Sequence, residues 1–162
     1  MYFQLSLVKI DAGMRVLLVG GKGGFINSLV AQVVGSTGNV VTVSSNNNIL
    51  NICKKRVRNK SPVAHIMDWK WVPDVANPGS ILELFKNETE SGEQKFHAII
   101  YCGAVKELPL DMALVLANEG SLIAPVDVDE KEQQLLMVIK RAGKIHEIRG
   151  ISDFNVTFAK VQ

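Results

Sequence analysis

Residues 15–30 read RVLLVGGKGGFINSLV: an apolar run, a knot of glycines, then apolar residues on a different period. The apolar run, residues 14–19, suits a strand buried on both faces. Beyond the glycines, Phe25, Ile26, Leu29, Val30, Val33 and Val34 recur at helical spacing, and Gly35, Ser36 and Gly38 end the repeat. Strand, glycine turn and helix are the ingredients of a nucleotide-type cofactor site. There a ligand lies on bare backbone against the unpaired N–H groups of a helix start. Lys22 is the discordant residue, because a long cationic side chain stands where bare backbone is wanted.

The pattern repeats outward from this unit. Residues 39–43 (NVVTV) predict a second strand, 44–48 a polar turn rich in N-capping residues, and 49–57 a second helix. Residues 63–67 (VAHIM) predict a short third strand, followed by a loop carrying Trp69, Trp71, Pro73 and Pro78. Ser80 is expected to cap a short helix over 81–86, with 87–94 an exposed loop. Residues 96–102 (FHAIIYC) predict a fourth strand, 110–118 a helix ended near Gly120, and 121–126 a fifth strand. The last quarter changes rhythm: 133–141 and 144–148 predict two strands joined by Ala142-Gly143, and 155–161 alternates like a further one.

The expected class is therefore α/β, a Rossmann-like, doubly wound, mostly parallel seven-stranded sheet with an antiparallel C-terminal hairpin. At 162 residues, a single domain over 1–162 is expected, with residues 1–11 partly disordered or foreign to the natural chain.

Composition removes several classes of function. A net charge of +2 is too small to demand a polyanionic partner, and the basic run KKRVRNK (54–60) reads as a solvated helix face with its exit loop. Cys53 and Cys102 read as reduced and structural, and no Cys or His spacing suits a metal. His65, His97 and His146 fall on separate strands with no carboxylate or hydroxyl at suggestive spacing, so they read as structural. Apolar runs are far shorter than the ~20 residues needed to cross a bilayer, and no signal-peptide pattern opens the sequence. A soluble, cytoplasmic protein is expected, with neither membrane nor nucleic acid nor metal among its partners.

In a doubly wound sheet the ligand lies beyond the carboxyl ends of the strands, where the strand order reverses. That groups residues 20–24, 44–46, Asp68 and 101–105 around one crevice. Four segments resemble the class I S-adenosylmethionine-dependent methyltransferases, and within them the protein-L-isoaspartate O-methyltransferases. GMRVLLVGGKGGFINSLVAQVVGSTGNVVTV (13–43) is similar to that family's GxxVLExGxGSGYxxAxLAxxVGxxGxVxxxE. MDWKW (67–71) falls where the family has GDG, FHAIIYCGAVKELP (96–109) looks like its YDxIxxxxAxxxxP, and LANEGSLIAPV (116–126) like its LxxGGRLxxPV. QQLLMVIKRAGKIHEIRGISDFNVTF (133–158) matches the closing hairpin in rhythm and position.

The resemblance implies S-adenosylmethionine as cofactor. Its methionine part would lie on the glycines, an acidic residue ending the second strand would hold the ribose, and an aspartate after the third strand would meet the adenine. Gly20, Gly24 and Phe25 fall on matching positions, with Gly21 beside them; Asp68 falls on the adenine position, with Trp69 next to it as a stacking surface. The departures are Leu18 in place of an acid, Lys22 at the middle glycine, and Ser44 at the ribose carboxylate. Trading that carboxylate for one hydroxyl costs about 1.5–3 kcal/mol, a ten- to hundredfold loss of affinity. The family also places a substrate-gripping segment ahead of the first strand, where only residues 1–11 stand here. Two readings follow: a non-catalytic relative serving as a scaffold or as a subunit of an assembly, or an active methyltransferase acting on an isoaspartyl carboxylate or another acceptor. No catalytic residue is assigned.

Overall fold

The computed structural model describes residues 7–21, 24–59, 61–90, 95–130, 132–148 and 158–162. Among the described residues, seven strands form one sheet in the order β3-β2-β1-β4-β5-β6-β7. They are β1 (Arg15–Val19), β2 (Asn39–Ser44), β3 (Met67–Trp71), β4 (Phe96–Tyr101), β5 (Leu116–Asp127), β6 (Gln133–Arg141) and β7 (Lys144–Ile148). β1 to β5 run parallel, and β6 and β7 are antiparallel to their neighbours. The strand order reverses between β1 and β4, which sets the crevice over the carboxyl ends of β1, β2 and β4.

The alternation in β1 explains the two layers. Val16 and Leu18 pack under α1 (Phe25–Val34) and α2 (Asn47–Arg58), while Leu17 and Val19 face α3 (Pro78–Leu84). All four are fully buried, each contributing about 1.5–3 kcal/mol. Leu50, Cys53 and Val57 make the buried stripe of α2, leaving Lys54, Lys55, Arg56 and Arg58 in solvent. Below the sheet, the Arg15 guanidinium lies 4.3 Å from the Phe96 ring centroid and pairs with Glu88 of α4 (Lys86–Glu90) at 2.9 Å.

Several local expectations are corrected. The third strand is Met67–Trp71; the stretch Ala64–Ile66 instead forms a 3₁₀ turn leading into it. MDWKW alternates apolar and polar as a sheet edge allows, and its parallel pairing with β2 sets Asp68 opposite Val41 and Trp71 opposite Ser44. The segment after Pro109 is a 3₁₀ helix over Leu110–Val115, and β5 begins at Leu116. Two carbonyls of that turn region, Ala113 and Leu116, accept from Lys140 Nζ at 3.0 and 3.1 Å. Burial, ahead of the charge of Lys95, pushes the Lys140 ammonium below its ordinary value. Asn77, not Ser80, caps α3, with Pro78 in its first turn. Part of 87–94 belongs to α4, and 91–94 lie outside the described residues.

Residues 1–6 lie outside the described residues, whereas Leu7, Val8 and Ile10 pack on the core beside α1. Of the further strand expected over 155–161, residues 155–157 lie outside the described residues. Residues 158–161 form no strand, only an isolated parallel bridge from Lys160 to Ala104.

Candidate functional site: the crevice over β1, β2 and β4

β1 ends at Gly20, whose N–H donates to the Val43 carbonyl of β2 at 2.9 Å and whose φ is +76°. Gly24 opens α1 at φ +79° without a side-chain cap. A Cβ on Gly24 would lie 3.2 Å from Val57 Cγ2 and 3.3 Å from the Cys53 carbonyl, so this glycine lets α1 sit close on α2. Under the turn, Asn27 is fully buried; its Nδ2 donates to Thr42 Oγ1 at 2.6 Å, and its Oδ1 has no hydrogen-bond donor among the described residues. Phe25 stands exposed at the start of α1, and Lys22 lies outside the described residues.

At the end of β2, Ser44 is fully buried. Its hydroxyl accepts from the Asn46 N–H at 3.1 Å and donates to the Gln162 carbonyl at 2.9 Å. Asn46 in turn caps α2 through its side chain. At the end of β4, burial raises the Tyr101 hydroxyl above its ordinary value and pushes the Cys102 thiol up to about 12, so neither offers an anion at neutral pH. Cys53 and Cys102 are not joined in a disulfide.

The chain's own residues 158–162 run across this crevice. Ala104 N–H donates to the Ala159 carbonyl at 2.8 Å, and Val161 N–H donates back to Ala104 at 3.1 Å. The Gln133 side chain clamps Phe158 from both sides: its Oε1 accepts from Phe158 N–H at 2.6 Å, and its Nε2 donates to the Phe158 carbonyl at 3.1 Å. Lys160 pairs with Asp127, and this hydrogen bond, ahead of the opposing cost of desolvation, lowers the Asp127 carboxyl below its ordinary range. Val161 reaches the core and stands directly on the turn. A Cβ on Gly20 would fall 2.5 Å from Val161 Cγ2, and one on Gly103 would fall 2.7 Å from Val161 Cα.

The structure therefore brings Gly20, Gly21, Gly24, Phe25 and Ser44 to one end of the sheet and removes two expected members. Asp68 lies toward the amino end, where its carboxylate accepts from Asn39 Nδ2 at 3.0 Å and shares a polar well with Arg15, Lys70 and Glu88. Trp69 is half-buried on the outer edge beside Lys54, Arg58 and His65, away from the crevice. Both displacements follow from the later start of β3. The acid that does follow β3 at the carboxyl end is Asp74. It lines a cleft of about 740 Å³ with Asn77, Lys106, Leu108, Lys160 and Val161. Asp74 and Gly103 were visible in the sequence only through the placement of β3 and the closing segment. Among the described residues no group of three or more His, Cys, Asp or Glu side chains could hold a metal, and no helix is long and apolar enough to cross a membrane.

The family model for protein-L-isoaspartate(D-aspartate) O-methyltransferase matches residues 1–159. The chain belongs to this family. Among solved structures, this family member is similar to a Plasmodium falciparum protein described as a protein-L-isoaspartate O-methyltransferase in complex with S-adenosyl-L-homocysteine. The identity is 22% and the TM-score 0.75, over 99% of this chain and 70% of that one. A second protein-L-isoaspartate O-methyltransferase matches at 21% identity and TM-score 0.76, over 99% of this chain and 45% of that one. An S-adenosylmethionine-dependent O-methyltransferase from Thermotoga maritima matches at 12% identity and TM-score 0.58, over 94% of this chain and 60% of that one. At these identities the likeness is one of fold. A comparison with curated protein sequences finds no match.

Proposed function

We propose that this chain is a divergent isoaspartyl-methyltransferase-family domain whose cofactor crevice is closed by its own residues 158–162, and that it serves as a scaffold or a subunit of an assembly. The observation that carries this is the use of Ser44. The side chain at the family's ribose position is neutral, buried, and spent on the Gln162 carbonyl, while Val161 covers Gly20. S-adenosylmethionine is the cofactor that the family and the solved structure in complex with S-adenosyl-L-homocysteine support; a neutral Ser44 already spent on Gln162 weakens its hold on a ribose.

A second reading, an active S-adenosylmethionine-dependent methyltransferase acting on an isoaspartyl peptide carboxylate or another acceptor, is favoured by the family match over residues 1–159. The unsatisfied, buried Asn27 Oδ1 beneath the glycine turn also favours it, since this acceptor suits a donor group on a ligand. Calorimetry with S-adenosylmethionine and S-adenosylhomocysteine, run with a radiolabelled methyl-transfer assay on an isoaspartyl peptide, separates the two. The closed-crevice reading expects dissociation constants in the millimolar range or no heat, and no methyl ester. Micromolar binding with turnover would overturn it.

A further inference from the structure

We infer that the groove between α2 and the edge strand β3 binds single-stranded nucleic acid, with a base stacked on Trp69 and phosphates held by Lys54 and Arg58. The net charge of +2 conceals an uneven division of the chain. Residues 12–67 hold seven Lys or Arg and no Asp or Glu, which puts +7 in that stretch and −5 in the remainder. Folding gathers four of the seven on α2, where Lys54, Lys55, Arg56 and Arg58 are all exposed. Among the described residues none of these four forms an ion pair. The negative end of the helix favours cations in its last turn, yet it does not account for the aromatic groove that the run KKRVRNK borders once folded.

β3 supplies that groove. Trp69 and Trp71 alternate onto the face beside α2, about 6.6 Å apart along the strand, while Asp68 and Lys70 turn to the opposite face. Trp69 is half-buried and, over an apolar floor of Val57 and Met67, lines a hollow of about 330 Å³ rimmed by Lys54, Arg58 and His65. That volume lies at the small end of the range for ligand sites and suits one nucleotide. Trp71 is 48% exposed, and its indole is fixed by Nε1 donating to the Ser45 carbonyl at 3.1 Å. Aromatic faces in succession beside a line of cations are the parts of a single-strand platform: the faces stack on any base, and the charges follow the backbone.

Other polyanions fit this surface less well. A bilayer needs an outward apolar face, but α2 spends its apolar stripe on the sheet and exposes Ile52 as its one large apolar side chain. An acidic peptide would meet the cations and leave the indoles unstacked. The groove lies on the outer edge of the sheet, away from the crevice, so its occupancy is independent of whether that crevice takes S-adenosylmethionine.

Trp69 and Trp71 are the two tryptophans of the chain, so its intrinsic fluorescence reports on the groove directly. The full chain is titrated with dodecamers of uridine and of thymidine, and with inorganic polyphosphate, an oligoglutamate peptide and phosphatidylserine vesicles. The expected result is quenching by the oligonucleotides with a Kd of about 1–100 μM at physiological salt, the tighter of the two naming the sugar. Trp69→Leu should weaken that binding roughly five- to 150-fold, and Trp69→Phe should restore it. Lys54→Gln combined with Arg58→Gln, both on the exposed helix face, should lower the salt slope by about 1.4 and keeps the test intact if Trp69→Leu fails to fold. Absence of binding by both oligonucleotides overturns the proposal. So does polyphosphate binding as tightly as the oligonucleotides, an unchanged salt slope in the double variant, or tighter binding of the peptide or the vesicles.

Discussion

Gly103→Ala isolates the contribution of residues 158–162 to the fold. Gly103 does not have a left-handed φ, so alanine is acceptable to the local backbone, and the new methyl collides with Val161 and Ala159. Those collisions are with backbone atoms, which no rotamer change can relieve. The segment must therefore leave, giving up the hydrogen bonds of Ala104 to Ala159 and Val161, of Gln133 to Phe158, and of Ser44 to Gln162. At about 1 kcal/mol net for each bond the loss is roughly 5 kcal/mol. Releasing a handful of ordered residues returns about 1–2 kcal/mol of backbone entropy apiece. The two terms are of the same size, so global stability and Tm are expected to stay nearly unchanged. Thermal denaturation with amide exchange on the same samples is the assay: Tm barely moves, while Ala104 and Val161 exchange at free-peptide rates. A protected segment in Gly103→Ala, or a protein that no longer folds, would show that residues 158–162 do not leave the fold independently.

Other outcomes follow from the same geometry. Ser44→Asp restores a ribose-type carboxylate and faces it with the Gln162 carbonyl, so S-adenosylhomocysteine affinity should rise ten- to hundredfold by calorimetry. Asp68→Ala, at the opposite end of the sheet, should leave that affinity within about twofold in the same titration. Lys140→Met frees the Ala113 and Leu116 carbonyls and should cost about 1.5–3 kcal/mol, read as a lower urea midpoint. The Asp127 carboxyl is lowered by its bond from Lys160, so the pair holds fully above the ordinary carboxylate value of about 3.9 and is lost as pH falls through the lowered one. The Lys160 and Val161 amide shifts should stay constant from neutral pH to about 5 and move toward free-peptide values only in stronger acid.

The sheet, its order of strands and helices, and the glycine turn were legible because burial on both faces writes a continuous apolar run, as in residues 15–19, and helix packing writes a 3.6 period, as in α1. The β3 boundary was not. Val63, Ile66 and Met67 supply an apolar run that reads as a strand, but the pairing that fixes register is made by Met67–Trp71 against β2. A shift of a few residues carried Asp68 and Trp69 out of the crevice. The closing segment was illegible for a related reason: residues 155–161 alternate like a strand, and only tertiary contact with Gly20, Gly103 and Gln133 shows that 158–162 cross this end of the sheet.

Calorimetric titration of the unmodified chain with S-adenosylhomocysteine decides whether the crevice over β1, β2 and β4 takes an adenosyl ligand. With the ribose position held by a neutral Ser44 that is already bonded to Gln162, a dissociation constant in the millimolar range or no heat is expected. Micromolar binding would contradict the closed, non-catalytic reading.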